Sequence, residues 1–232
     1  MLSLRELVSE LNIELSDKQL ESFDTYYKML IEWNEKINLT AITEYDEVLV
    51  KHFTDSLSIV KAVDMNRVTS LIDVGTGGGF PGIPIAILFP EIKITLLDSL
   101  NKRITFLNEV VKELSLTNVE AIHGRAEDIA RGDYREKFDL CVSRAVANLS
   151  TLSELCIPFV SVGGFFVSYK SEKADEEIES ATKAIDILGG KIVNKIDFAI
   201  KDNNRNLIVI EKISATAKKY PRKAGTPSKQ PL

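Results

Sequence analysis

Apolar positions recur along this chain with two different periods, and the switch between them lays out the architecture. From Leu4 to Ile37 the spacing is helical. Leu4, Leu7, Val8 and Leu11 make one stripe, and Leu20, Phe23, Tyr27, Leu30 and Ile37 make a second. Ser3-x-x-Glu6 and Ser16-x-x-Gln19 each fit a capping box that opens a helix, with a turn from Asn12 to Leu15 between them. Residues 1–52 are therefore expected to form a helical cap, with Trp33 on its packed face.

From Thr69 the pattern changes to short β-branched runs alternating with helical stretches. Strands are predicted at 69–74, 92–98, 118–123, 138–143 and 163–169, and helices near 81–89, 102–115, 125–131, 150–160 and 172–188. Gly189-Gly190 ends the last helix. Residues 191–199 and 205–213 alternate again and are joined by Lys201-Asp202-Asn203-Asn204, the pattern of an antiparallel hairpin. The expected fold is α/β: a mainly parallel, doubly wound, seven-stranded sheet spanning residues 53–213, with an antiparallel C-terminal hairpin.

Composition narrows the class. A chain of 232 residues that is 44% hydrophobic can bury a full core. It has no apolar run long enough to span a membrane and no signal-peptide h-region, since Glu6 and Glu10 interrupt its start. Cys141 and Cys156 both lie in apolar surroundings, and His52 and His123 are far apart, so neither a disulfide framework nor a metal site is expected. A reducing cytoplasm and a monomer are the expectations.

Net charge is −5, but Lys218, Lys219, Arg222, Lys223 and Lys229 place +5 on residues 214–232, leaving −10 on the rest. With Pro221, Gly225, Pro227 and Pro231 among them, these tail residues are expected to be extended.

The chemistry begins at Asp73-Val74-Gly75-Thr76-Gly77-Gly78-Gly79-Phe80-Pro81-Gly82. A strand that breaks into a glycine turn and then a helix brings bare backbone to a nucleotide-like ligand at a helix tip. Gly77 to Gly82 satisfies G-x-G-x-x-G with Asp98 downstream, so an NAD-dependent oxidoreductase is one reading.

Asp73, two residues before Gly75, makes a pattern that resembles the first motif of class I methyltransferases, which favours S-adenosylmethionine instead. Asp98, at the end of the second strand, could accept both ribose hydroxyls or could cap the next helix. The loop Arg125-Ala126-Glu127 could border an adenine through a backbone N–H and a carboxylate. Arg144, where the fourth strand meets its loop, sits where ligands bind in open α/β sheets.

These segments together resemble the bacterial ribosomal RNA small-subunit methyltransferase G family, also called glucose-inhibited division protein B. The resemblance runs through Glu32 to Thr40, Lys51-His52-Phe53-x-Asp55-Ser56, Asp73 to Gly82, Asp98 to Arg103, Arg125-Ala126-Glu127, Ser143-Arg144-Ala145-Val146 and the tail from Tyr220. Gly78 departs from the alanine the family often carries.

The resemblance implies a Rossmann-like, class I S-adenosylmethionine-dependent methyltransferase. It would methylate N7 of one guanine in 16S ribosomal RNA and release S-adenosylhomocysteine. Gly75, Phe80, Ala126, Glu127 and Arg144 would hold the cofactor, with Gly77 and Asp98 beside them. A methyltransferase of a non-RNA substrate is the other alternative.

Guanine N7 carries a free lone pair and no proton, so alignment suffices and no catalytic base is assigned; Arg144 is the candidate at the reacting end. Arg125 and Arg205, like Arg144, could read guanine O6. Lys218, Lys219, Arg222 and Lys223, with Tyr220 as a stacking platform, could track RNA phosphates. An acidic body with so few clustered cations suggests a ribonucleoprotein particle rather than free RNA as the substrate.

Overall fold

A computed structural model describes residues 3–144, 147–170 and 174–232. Ala145 and Val146 of the fourth-strand loop motif, and the first two positions of the helix predicted at 172–188, lie outside the described residues.

The chain opens with α1 (Leu4–Ser9) and α2 (Asp17–Ile37). The Ser16 box is formed in both directions: the Gln19 N–H donates to Ser16 Oγ at 3.3 Å, and the Ser16 N–H to Gln19 Oε1 at 2.9 Å. The Gln19 amide also donates to the Ile87 carbonyl at 3.0 Å, fastening the cap to the main body. Ser3 makes no such cap bond; α1 is held by burying Leu4, Leu7 and Val8. Asn34 Oδ1 accepts from the Leu39 and Thr40 N–H groups at 2.6 and 2.8 Å, closing the end of α2 where Asn38 turns left-handed. Next come α3 (Tyr45–Val48), a π-helical turn (Leu49–Thr54) and α4 (Asp55–Leu57) in one continuous rod.

The sheet follows as β1 (Ser70–Val74), β2 (Lys93–Asp98), β3 (Val119–His123), β4 (Phe138–Ser143), β5 (Val160–Lys170), β6 (Gly190–Ile200) and β7 (Asn203–Lys212), in spatial order β3-β2-β1-β4-β5-β7-β6. The first five strands pair in parallel, and β7 runs antiparallel to both neighbours. Between the strands lie α5 (Gly82–Leu88), α6 (Asn101–Glu113), α7 (Ala126–Ile129), α8 (Leu149–Cys156) and α9 (Ala174–Ile187).

Strand alternation divides the core in two. Leu71, Leu140 and Val142 face a cluster shared by α1, α2, α5 and α6, whereas Ile72, Val74 and Cys141 face α8 and α9.

Most boundaries differ from the sequence reading by a residue or two, the helix predicted at 150–160 ends at Cys156, and two differences have a plain cause. β5 starts at Val160, not 163, because a register shift between Phe138 and Leu140 lets Val160 pair before Gly163 and Gly164. The hairpin turn is only Lys201-Asp202, since Ile200 pairs with Asn203 while Lys201 takes a φ of +53°. The tail is also not an extended arm. It folds back on α8, buries Tyr220, Pro221 and Pro227, and forms a short helix, α10 (Thr226–Lys229).

Candidate cofactor and acceptor site

β1 and β4 are neighbours although the chain goes from β1 to β2, so their C-terminal ends flank the crevice where the winding reverses. The glycine turn leaves β1 at that crevice. The Gly75 and Thr76 N–H groups donate to the Leu97 carbonyl at 2.8 and 3.2 Å, and Tyr26 of α2 donates its hydroxyl to the Gly78 carbonyl.

Asp73 braces the turn from behind. It is fully buried, its Oδ2 accepts from Thr76 Oγ1 at 2.7 Å and the Gly82 N–H at 2.8 Å, and its Oδ1 has no partner. Burial lifts its carboxyl to about 6, against the lowering effect of those two bonds. A methyl group at Gly82 would come within 2.2 Å of Leu96 and 2.9 Å of Asp73 Oδ2, so this glycine is required by close packing of α5 on the sheet. Gly77 differs: its φ is +63° and a side chain there would meet nothing within 4 Å.

That open side of Gly77 is a cavity of about 510 Å³, lined by Gly75, Gly77, Phe80, Asp98, Arg125, Ala126, Glu127 and Arg144 among others. Every cofactor residue expected from the sequence is therefore at one place, brought together from the ends of β1, β2, β3 and β4. Asp98 lines the cavity; its Oδ2 accepts from the Gly77 N–H at 2.9 Å and Arg103 Nη1 at 3.1 Å, while Oδ1 accepts from the N–H of Leu100, the residue that caps α6, at 2.9 Å, so Asp98 is not itself the cap. The carboxylate ties the glycine turn to α6 before any ligand is considered.

Arg144 is held in a network the sequence did not reveal. Its Nη1 donates to the Lys51 carbonyl at 2.9 Å and to Asp55 Oδ2 at 2.8 Å, and its Nη2 lies 3.1 Å from His52 Nδ1. A π-helical turn widens the backbone around Lys51, and such turns recur at functional sites.

His52 Nδ1 lies 3.1 Å from both Arg144 Nη2, which can only donate, and the Lys51 carbonyl, which can only accept, while Nε2 lies 2.8 Å from Thr40 Oγ1. Burial, then the Arg144 charge, hold the imidazole down at about 3, so it is neutral. His52 stacks on Phe80 at 4.4 Å, and the Arg144 guanidinium lies 5.1 Å from the same ring. Thr40 and His52 both line the cavity. A lone histidine and a lone threonine follow no periodic pattern, and only their place in the family-like segments could have marked them.

The residues expected to meet RNA are dispersed. Arg125 lines the cavity. Arg205 lies outside it, with its Nε donating to Asp55 Oδ1 at 2.8 Å, so a single buried carboxylate holds both Arg205 and Arg144. Arg222 pairs with Glu154, which is wholly buried, through Nε and Nη2, with its backbone N–H joining them. Tyr220 is buried in the core on the α8 and α9 side, leaving its ring no open stacking face among the described residues. Lys218, Lys219 and Lys223 remain exposed. Tail residue Ser228 lines the cavity, and the Gly225 N–H donates to Glu127 Oε1 at 2.8 Å.

Comparison with known proteins matches residues 19–208 to a family described as rRNA small subunit methyltransferase G. A ribosomal RNA small subunit methyltransferase G of Lachnoclostridium phytofermentans is 53% identical, covering 96% of this chain and 93% of its own. The protein of the same description from Staphylococcus saprophyticus is 51% identical, covering 99% and 97%, and that of Clostridium botulinum is 52% identical with the same coverage. Among solved structures, M. jannaschii TYW2 in complex with AdoMet superposes with a TM-score of 0.52 at 16% identity, covering 87% of this chain and 79% of that one. A mutant of MtNAS gives 0.56 at 13% identity, covering 85% and 75%. At those identities the likeness is one of fold.

Proposed function

Since the chain belongs to the rRNA small subunit methyltransferase G family and is an S-adenosylmethionine-dependent methyltransferase of small-subunit ribosomal RNA, we propose how its residues carry out transfer to guanine N7. Membership in this family removes the dinucleotide reading of the glycine turn. The observation that carries the proposal is the convergence of Gly75, Gly77, Phe80, Asp98, Ala126, Glu127 and Arg144 on one cavity.

The residues fit the methyl donor. About 510 Å³ is within the size class of small-molecule sites, and the free face of Gly77 lets main chain lie against a ligand. S-adenosylmethionine, when bound, supplies a methyl group on a sulfonium sulfur. Asp98 would accept ribose hydroxyls through its remaining lone pairs, and the Ala126 N–H and Glu127 carboxylate would read the adenine edge. Phe80 would cover an apolar face.

On the acceptor side the chain has to orient a lone pair rather than remove a proton, so positioning is the contribution required. His52 suits that role as a neutral ring, with Nδ1 beside Arg144 and the Lys51 carbonyl and Nε2 beside Thr40. Arg144 keeps its Nε–H and one Nη2 hydrogen outside its described bonds, and these could donate to guanine O6. The acceptor is proposed to be a ribonucleoprotein particle in the cytoplasm, engaged by a monomer.

Tritiated methyl transfer to isolated small ribosomal subunits, naked 16S RNA and bulk RNA tests the reading. The expected product is one guanosine whose site becomes cleavable by borohydride reduction followed by aniline, a reaction specific to N7 methylation. Label on an exocyclic or ribose atom would overturn the N7 assignment.

A further inference from the structure

The C-terminal tail has more structure than its composition requires. Residues Ser150, Thr151 and Glu154 put a polar face on α8, and all three are buried. The tail covers that face. Ser150 Oγ donates to the Leu232 carbonyl and Thr151 Oγ1 to the Pro227 carbonyl, each at 3.1 Å, and Glu154 receives Arg222 on both oxygens. A wholly buried carboxylate persists only when paired, so the Glu154–Arg222 pair fixes where the tail must lie. From that anchor the chain turns left-handed at Gly225, whose N–H reaches Glu127, and continues to Ser228 in the cavity lining.

We propose that Ser228 forms part of the wall of the methyl-donor cavity and that Glu154 is a positioning residue for it, acting through Arg222 to hold Gly225 on the Glu127 carboxylate. This rests on the reading of that cavity as the S-adenosylmethionine site. One oxygen of Glu127 is fixed by the tail, so the other is presented to the ligand in a defined direction. Cofactor binding and tail docking are then thermodynamically linked, and each strengthens the other by the same factor.

Limited trypsin digestion of the full chain, following cleavage after Lys223 and Lys229, tests the linkage without any turnover. Saturating S-adenosylmethionine should slow both cuts by about tenfold, within the usual range of such couplings. Calorimetry on Glu154→Gln should give a Kd for S-adenosylmethionine raised by about tenfold, while trypsin cuts the chain before residue 214 at its wild-type rate, a rate that general loosening of the fold would raise. Ser228→Trp changes an exposed side chain and so tests the wall without disturbing the core; it should also weaken cofactor binding.

Wild-type protein that binds the cofactor but is cut at an unchanged rate overturns the proposal, as does unchanged affinity in both folded variants. Wild-type protein that binds no S-adenosylmethionine overturns the underlying reading of the cavity, and this inference with it.

Discussion

Replacing His52 by Asn should change how stability responds to acid, and the size of the change follows from two buried groups with opposite effects. His52 is held down at about 3, by burial and then by Arg144. Above pH 6.5 it contributes nothing to the pH dependence. Below that the unfolded chain takes up a proton that the folded chain refuses, so stability falls as the pH falls, at about 1.4 kcal/mol per pH unit. By about pH 4 that amounts to roughly 3 kcal/mol lost.

Asp73 runs the other way. Its carboxyl is lifted by burial from 3.8 to about 6, so between those values the folded chain holds a proton the unfolded chain lacks. Stability therefore rises by roughly 2–3 kcal/mol as the pH drops through that window. Asp139, whose burial is outweighed by hydrogen bonds from Thr69 and Ser70, acts only below its ordinary value of 3.8 and stays out of the window.

In the wild type the two contributions offset to within about 1 kcal/mol from pH 6 to pH 4. Asn at position 52 can place Oδ1 near the position of Nδ1, accept from Arg144 and gain no proton. The variant loses baseline stability with the ring stacking on Phe80, yet relative to wild type it should gain about 3 kcal/mol between pH 7 and pH 4. Urea unfolding at intervals across that range measures it. Parallel stability curves for the two proteins would refute the assignment of a neutral, buried His52.

Two other expectations concern the turn and the tail. Gly82→Ala must move Leu96 or the helix, at a cost of about 1–3 kcal/mol in urea unfolding, whereas Gly77→Val meets no atom but holds a β-branched residue at a φ of +63°, costing about 1–2 kcal/mol, and should leave a folded protein that no longer binds S-adenosylmethionine by calorimetry. Lys218, Lys219, Lys223 and Lys229 are exposed while Arg222 is committed to Glu154, so replacing those four lysines by Gln should reduce the log–log salt slope of RNA binding by about 2.8, at roughly 0.7 per phosphate contact. An unchanged slope would mean that RNA is held elsewhere.

The alternation of strands and helices, the glycine turn and the carboxylates at the strand ends were legible in the sequence because each is a local matter. Periodicity of two or 3.6 follows from backbone geometry, and a glycine turn between a strand and a helix has few physical meanings. Strand order then brings the ends of β1, β2, β3 and β4 together, so residues picked by local logic, and Phe80 by resemblance, met in one cavity.

What the sequence could not settle was which charge meets which. Arg144, Arg205 and Arg222 all looked available for RNA, yet Asp55 takes the first two and Glu154 the third, across 89, 150 and 68 residues of chain. The same holds for His52, whose Nδ1 meets an arginine 92 residues away. It holds again for the tail, whose prolines and lysines read as an open arm. Electrostatic pairing depends on distance in space and on burial, and hydrophobic periodicity encodes neither the partner nor the depth. Only the folded chain brings the half-buried Arg222 to the wholly buried Glu154, and that pairing lays the tail against α8 with Ser228 at the cavity.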